Sequence, residues 1–175
     1  MDKRKQILRL SRNAVMLALL CVIGMFSLPL GDNIKVSLQL LMVFIIGLTS
    51  VSFIDAIIVT GLYLVIGLLI PVYAGFAAGI TPTFGFVISF VVLVVPLYFI
   101  NKLPIKNQFL RMSIACVVGL LVCYVIGATF LALYLKLDIQ KALLIAVVPY
   151  IPFDIAKIVI AVLVVSLLPK RLFSL

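Results

Sequence analysis

Six apolar runs, each near the length of a lipid-crossing helix, follow one another along the chain and dictate the solvent it can fold in. A helix crossing the hydrocarbon core of a bilayer needs about 20 largely apolar residues, with a range of about 17–25. The runs occupy residues 11–28, 36–51, 53–70, 83–100, 109–135 and 141–168. Proline closes three of them, at Pro29, Pro71 and Pro169. Hydrophobic residues make up 66% of the 175 and charged residues 11%, whereas a soluble domain is about 45–50% apolar and about 25% charged. Too few polar side chains exist to coat such an interior against water, so lipid is the solvent. The expected fold is an all-α integral membrane protein in which residues 1–175 form a single domain of six transmembrane helices.

The charges agree with that placement. Lys and Arg number 14 against five acidic residues, all Asp, giving a net charge of +9. In a water-soluble chain this balance would point to nucleic acid. Here the basic residues lie between apolar runs, where the positive-inside rule accounts for them and no nucleic-acid partner is needed. With the amino terminus inside, Lys3, Arg4, Lys5, Arg9, Arg12, Lys102, Lys106, Arg111, Lys170 and Arg171 fall on the inner face. Lys35, Lys136 and Lys141 fall on the outer face. The sequence therefore predicts a multi-pass protein of the cell membrane with both termini cytoplasmic. The amino terminus has the basic and apolar regions of a signal peptide, but its apolar run is long and no A-x-A-like site follows, so it reads as a retained first span.

Missing residue types exclude whole classes of chemistry. There is no His and no Glu, so a membrane metalloenzyme built on those ligands is excluded and no metal is expected. No GxxxxGK[ST] segment is present, so ATP hydrolysis is not expected of this chain. Serines have no His to activate them. Cys21, Cys116 and Cys123 lie inside apolar runs without ligand-like spacing and read as small hydrophobic residues. The chain is read as neither an enzyme nor a cofactor carrier. No internal repeat is visible, which speaks against an inverted-repeat carrier.

One segment breaks the apolar pattern. In VVPYIPFDIAKIVIAV, residues 147–162, Asp154 and Lys157 sit three apart and share a helix face. Ionisable residues inside a membrane are costly and mark functional positions by default. Pro149 and Pro152 precede them, and proline suits the first turn of a helix. The sixth run is therefore predicted to break there and restart inside the protein, in its outer third. The restarted helix would offer free N–H groups, a cation from Lys157 and an acceptor from Asp154 to a ligand bearing both N–H and C=O. A self-neutralising ion pair is the alternative. Residues 71–85, PVYAGFAAGITPTFG, carry no charge and three glycines. They read as irregular backbone folded over something apolar, the only setting in which such backbone is tolerated at membrane depth. Gln39, near Ser37 at the outer end of the second run, is a candidate for helix–helix hydrogen bonding or ligand contact, and the tyrosines, Tyr124 and Tyr150 among them, for interfacial anchoring or stacking. Asp55 is expected to cap the third helix.

The order VSLQLLMVFIIGL, GLYLVIGLLIPVYAGFAAG, TPTFGF, YVIGATFLALYL and VVPYIPFDIAKIVIAVLV resembles the BioY family, from about residue 34 to 168. These are biotin-specific substrate-binding subunits (S components) of energy-coupling factor (ECF) ABC transporters. The resemblance implies a six-helix S-component bundle that holds a vitamin near the outer face and works with a separate transmembrane coupling subunit and two ATPase subunits. It maps ligand contact onto Asp154, Lys157 and Gln39, with Tyr73, Phe84 and Phe86 in the loop, and maps an AxxxA face for the coupling subunit onto Ala14 and Ala18. Phe84 stands where the family commonly has Gly, and Phe86 where Tyr is common. The pocket is then more apolar, and lipoate or another cofactor precursor stands as the alternative ligand. A stand-alone ion-driven carrier is the alternative class, and a ligand-free assembly subunit the third.

Overall fold

A computed structural model describes residues 3–29 and 35–169. Lys170 and Arg171, placed above on the inner face, lie outside the described residues. Helix α1 (Lys3–Met25) leads into strand β1 (Ser27–Pro29), which pairs antiparallel with β2 (Lys35–Ser37) in the register Ser27 to Ser37. Then come α2 (Gln39–Thr49), α3 (Phe53–Leu69), α4 (Phe84–Ile100), α5 (Gln108–Leu135), α6 (Ile139–Ala146), a 3-10 turn (Val148–Tyr150) and α7 (Ile151–Leu167). The fold is a helical bundle in which α6, the turn and α7 together form the sixth segment.

Two boundaries differ from the sequence reading. Helix α1 begins at Lys3 and ends at Met25, and the tail of the first run becomes β1 instead. The second run yields a helix of only 11 residues, about 16 Å at 1.5 Å per residue, because its beginning is taken up by β2. The sixth run is broken as its prolines require. Pro149 sits in the 3-10 turn and Pro152 in the first turn of α7, where the absent N–H removes no helical hydrogen bond. The segments Lys3–Met25, Gln108–Leu135 and Ile139–Leu167 are long and apolar enough to cross a bilayer. Helices α3 and α4 have 17 residues each, about 25 Å.

Short α2 is the core of the bundle. It packs against α1, α3, α4 and α7, and nine of its eleven residues are buried, as an all-round apolar helix demands. Its carboxyl end is held from α4: Asn101 donates to the Leu48 carbonyl at 2.9 Å, and Tyr98 to Val51 just beyond at 3.1 Å. Such bonds supply partners that the last turn of a helix lacks. At the same end Asp55 does not cap α3. Ser52 does, accepting from the Ile54 N–H at 3.3 Å. Asp55 instead ties α3 to α1, receiving Arg9 at 2.8 Å and Asn13 at 2.9 Å, while Arg12 reaches the Thr49 carbonyl. The basic residues Lys102 and Lys106, in the connection from α4 to α5, share this end; Lys136 lies at the other.

Helices α4 and α5 make the most extensive packing in the bundle, and two glycines explain how they close. The Phe130 side chain of α5 sits where a Cβ on Gly85 would be, and the Phe86 ring of α4 sits where a Cβ on Gly127 would be. The two helices thus exchange aromatic rings into each other's glycine gaps, the close approach that small residues allow in membranes. Gly127→Ala should force Phe86 out of its seat. Overpacking of this kind costs about 1–3 kcal/mol, read as a lowered melting temperature of the detergent-solubilised protein. An unchanged melting temperature would show that the gap is not filled.

Candidate functional site

The end of the bundle opposite the Asp55 tie encloses a cavity of about 260 Å³, close to the lower end of the roughly 300–1,000 Å³ range of small-molecule pockets. Five pieces of chain build it. Ser37, Gln39 and Leu40 come from the start of α2 and the residues before it. Tyr73, Ala74 and Thr83 come from the connection between α3 and α4. Helix α4 supplies Phe86, Val87 and Phe90, and α5 supplies Cys123, Tyr124 and Leu131. Ile145, Ala146, Tyr150, Asp154 and Lys157 come from the broken sixth segment. Residues on both sides of the helix break therefore line the cavity, Ile145 and Ala146 from α6 and Asp154 and Lys157 from α7.

Asp154 and Lys157 sit in this wall at 4% and 6% exposure. Lys157 Nζ donates to Asp154 Oδ1 at 2.7 Å, and Tyr124 Oη donates to Asp154 Oδ2 at 2.7 Å. Each carboxylate oxygen therefore has one partner and keeps accepting capacity. The ammonium has three donors, of which one is directed at Asp154. The carboxylate also lies in the first turn of α7, where the helix dipole favours negative charge. The residues form an ion pair, and both line the cavity. Phe86, Val87, Phe90 and Leu131 add apolar surface to the same lining.

The connection from α3 to α4 is folded against the bundle rather than hanging free. Tyr73 and Ala77 form a short antiparallel bridge around Gly75 and Phe76, both with positive φ, 73° and 59°. Gly75 N–H donates to the Met25 carbonyl at the end of α1 at 3.0 Å, and Gly79 N–H to the Gly67 carbonyl of α3 at 2.9 Å. Phe76 meets Phe26 edge-on at 6.4 Å. Tyr73 lies over Gly67, where a Cβ would overlap its ring, and donates to the Leu64 carbonyl at 2.6 Å.

Of the residues singled out in the sequence, Asp154, Lys157, Gln39, Tyr73 and Phe86 converge on the cavity. Phe84 does not line it. It is buried behind the wall, between Tyr73 at 6.2 Å and Phe130 at 6.0 Å, so it shapes the wall by packing. Ala14 and Ala18 are exposed on α1, remote from the cavity. Ala14 lies in a groove with Leu10 and Leu17 of α1 and Ile58 and Leu62 of α3. The sequence reading did not anticipate that Tyr124 completes the Asp154 cluster. A hydroxyl at mid-span was the available signal, but nothing local joins it to a residue 30 positions away. Cys123 and Phe90 gave no signal, being apolar residues in apolar runs.

The BioY family profile matches residues 1–173. The biotin transporter BioY of Thermotoga maritima is 29% identical over 167 residues, covering 93% of this chain and 96% of that protein. The probable biotin transporter BioY of Pyrococcus horikoshii is 33% identical over 160 residues, covering 86% and 90%. The crystal structure of the S-component for biotin from an ECF-type ABC transporter superposes with a TM-score of 0.84 at 21% identity, over 99% of this chain and 98% of that one. The bundle described above thus shares its fold with that S-component.

The buried cluster makes a stability prediction that needs no ligand. Removing one partner of a buried ion pair costs about 3–5 kcal/mol, whereas replacing both by apolar residues is often neutral. Asp154→Ala should therefore lower the melting temperature sharply, and Asp154→Ala combined with Lys157→Met should recover much of the loss. A double variant as unstable as the sum of the two single variants would mean that the charges do not compensate each other.

Proposed function

Because the chain belongs to the BioY family, we propose that it is the biotin-binding membrane subunit of an ECF-type transporter, with the cavity beneath the α3–α4 connection as its vitamin site. The observation that carries this reading is the Asp154–Lys157–Tyr124 cluster, a buried acceptor and a buried donor side by side in the wall of a largely apolar pocket. The head of biotin is a cyclic urea with N–H donors next to a carbonyl. Asp154 accepts from an N–H, Lys157 donates to the carbonyl, and the apolar wall takes the sulfur ring and the aliphatic chain. Lipoate has no N–H or carbonyl on its ring. It would leave the remaining donors of Lys157 and lone pairs of Asp154 facing an apolar group, and a site built to hydrogen-bond its substrate rejects a ligand that lacks the partner groups. The named relatives, a biotin transporter and a probable biotin transporter, favour the same choice.

In this reading the six segments 11–28, 36–51, 53–70, 83–100, 109–135 and 141–168 each cross the membrane, and residues 1–175 act as one domain. The end rich in Lys and Arg faces the cytoplasm together with both termini, following the positive-inside rule, and the cavity faces outward. Helix α7 restarts there and descends through the membrane. The connection that supplies Tyr73 covers the vitamin, and closure is favoured only by the contacts that the bound vitamin adds. The chain supplies binding, while a separate coupling subunit and two ATPases supply the energy. The exposed Ala14 and Ala18 on α1 offer the coupling subunit a face on which helices approach closely.

Biotin should raise the melting temperature of the purified protein while lipoate does not. Asp154→Ala and Lys157→Ala should each weaken biotin binding at least about tenfold, or 1.4 kcal/mol, in protein that still inserts into the membrane. Wild-type affinity in both variants would remove the cluster from the site. Accumulation of biotin by the isolated chain in liposomes under an ion gradient alone would favour a stand-alone carrier. For the partner face, replacing Ala14 and Ala18 together by Leu should abolish co-purification with the coupling subunit and leave biotin affinity unchanged. Retained co-purification would move the contact elsewhere.

A further inference from the structure

Tyr63 lies on α3, fully buried and outside the cavity lining. It nevertheless stands between two parts of the site. Its hydroxyl donates to the Val72 carbonyl, at the base of the α3–α4 connection, at 2.9 Å, and it is also hydrogen-bonded to the Gln39 amide. We propose that Tyr63 is a positioning residue that locks the Gln39 amide with its carbonyl toward the cavity, so that this wall accepts an N–H from the ligand ring and sets which way round the ring enters.

The orientation follows from counting protons. A tyrosine hydroxyl has one proton to give. The Val72 carbonyl can only accept, so the proton goes there. The contact with Gln39 must then be one in which Tyr63 accepts, and only the amide nitrogen can donate. That turns Nε2 toward α3 and leaves Oε1 on the side of Ser37, which lines the cavity and donates to Oε1 at 3.2 Å. Oε1 has a second lone pair for a ligand donor. Flipping the amide would set Oε1 against the Tyr63 oxygen, two acceptors facing each other in a buried place where neither is hydrated.

Packing keeps the hydroxyl where the count needs it. It rests against Gly24 of α1, where a Cβ would overlap it. The Tyr63 ring meets Tyr73 edge-on at 5.6 Å. The same hydroxyl therefore fixes an acceptor in one wall and the base of the segment that forms another. With Asp154 as a second acceptor and Lys157 as donor in the same lining, the site presents two acceptors and a donor, matching a cyclic urea with two N–H groups and one carbonyl. This orientation of the ligand rests on the proposed biotin site, whereas the locking of Gln39 does not.

The test uses Tyr63→Phe, which keeps the ring, and Gln39→Leu, singly and together. In the ligand-free protein the losses in melting temperature should be non-additive, since each substitution breaks the same bond; additive losses overturn the lock. Binding is then measured with biotin and with its two N-methylated forms, each blocking one ring donor. The wild type should reject both forms. Tyr63→Phe should weaken biotin about tenfold, relax discrimination at one nitrogen only, and have a smaller effect on a Gln39→Leu background, where only its bond to the Val72 carbonyl is left to lose. Equal weakening of all three ligands, additive with Gln39→Leu, would show a merely structural tyrosine and overturn the proposal. Gln39→Glu needs no change at Tyr63. It keeps an oxygen toward the cavity but loses the N–H, and it should weaken biotin as Tyr63→Phe does; unchanged affinity overturns the lock. If wild-type protein does not bind biotin, the proposed function falls, and the ligand-free cycle still decides whether Tyr63 holds Gln39.

Discussion

Taking Asp154 and Lys157 out of water carries a penalty of several kcal/mol for each ion, and the cavity end of the bundle is arranged to offset it. Their 2.7 Å contact supplies the attraction, the Tyr124 hydroxyl supplies a second hydrogen bond, and the first turn of α7 adds a favourable dipole. The last of these depends on the break at Pro149 and Pro152, which gives α7 a first turn of its own. An unbroken sixth helix would carry the same residues without that second first turn. Residues from both sides of the break, Ala146 and Asp154 among them, line the cavity together with α4, α5 and the α3–α4 connection.

A bundle hollow at one end must satisfy its irregular backbone without help from lipid. Residues 71–83 do so by borrowing partners from two helices: Met25 of α1 takes the Gly75 N–H, and Gly67 of α3 takes that of Gly79. Tyr63 and Tyr73 add side-chain bonds at its base. The segment that brings Tyr73, Ala74 and Thr83 to the cavity wall is therefore held by α1 and α3, the same helices that form the groove containing Ala14. At the opposite end Arg9 and Asp55 join those two helices again, so they are fastened at both ends of the bundle.

Much of the site was legible because lipid makes polar residues conspicuous. Asp154, Lys157 and Gln39 stand out in runs that otherwise hold few polar groups, and the prolines announced where the helix restarts. Tyr124 and Tyr63 were harder, because a tyrosine within a span also reads as an anchor or as apolar bulk, and the partner of each hydroxyl lies on another segment. Phe84 shows the opposite limit. It is close in sequence to Phe86, yet a helix turns about 100° per residue, so one ring meets the cavity and the other packs between Tyr73 and Phe130. Asp55 was visible as a charge, but its partners Arg9 and Asn13 on α1 were not.

The sequence by itself determined the solvent, the all-helical class, the break in the sixth segment and the few residues able to carry polar chemistry. Those follow from composition, run length and the covalent geometry of proline, which act within a few residues of chain. Only the tertiary structure decided that α2 would be short and central, that β1 and β2 would pair, which of two neighbouring phenylalanines faces the cavity, and which hydroxyls complete the polar cluster. Those outcomes depend on side chains far apart in sequence competing for the same space and the same hydrogen bonds, and that competition is settled only when the helices pack.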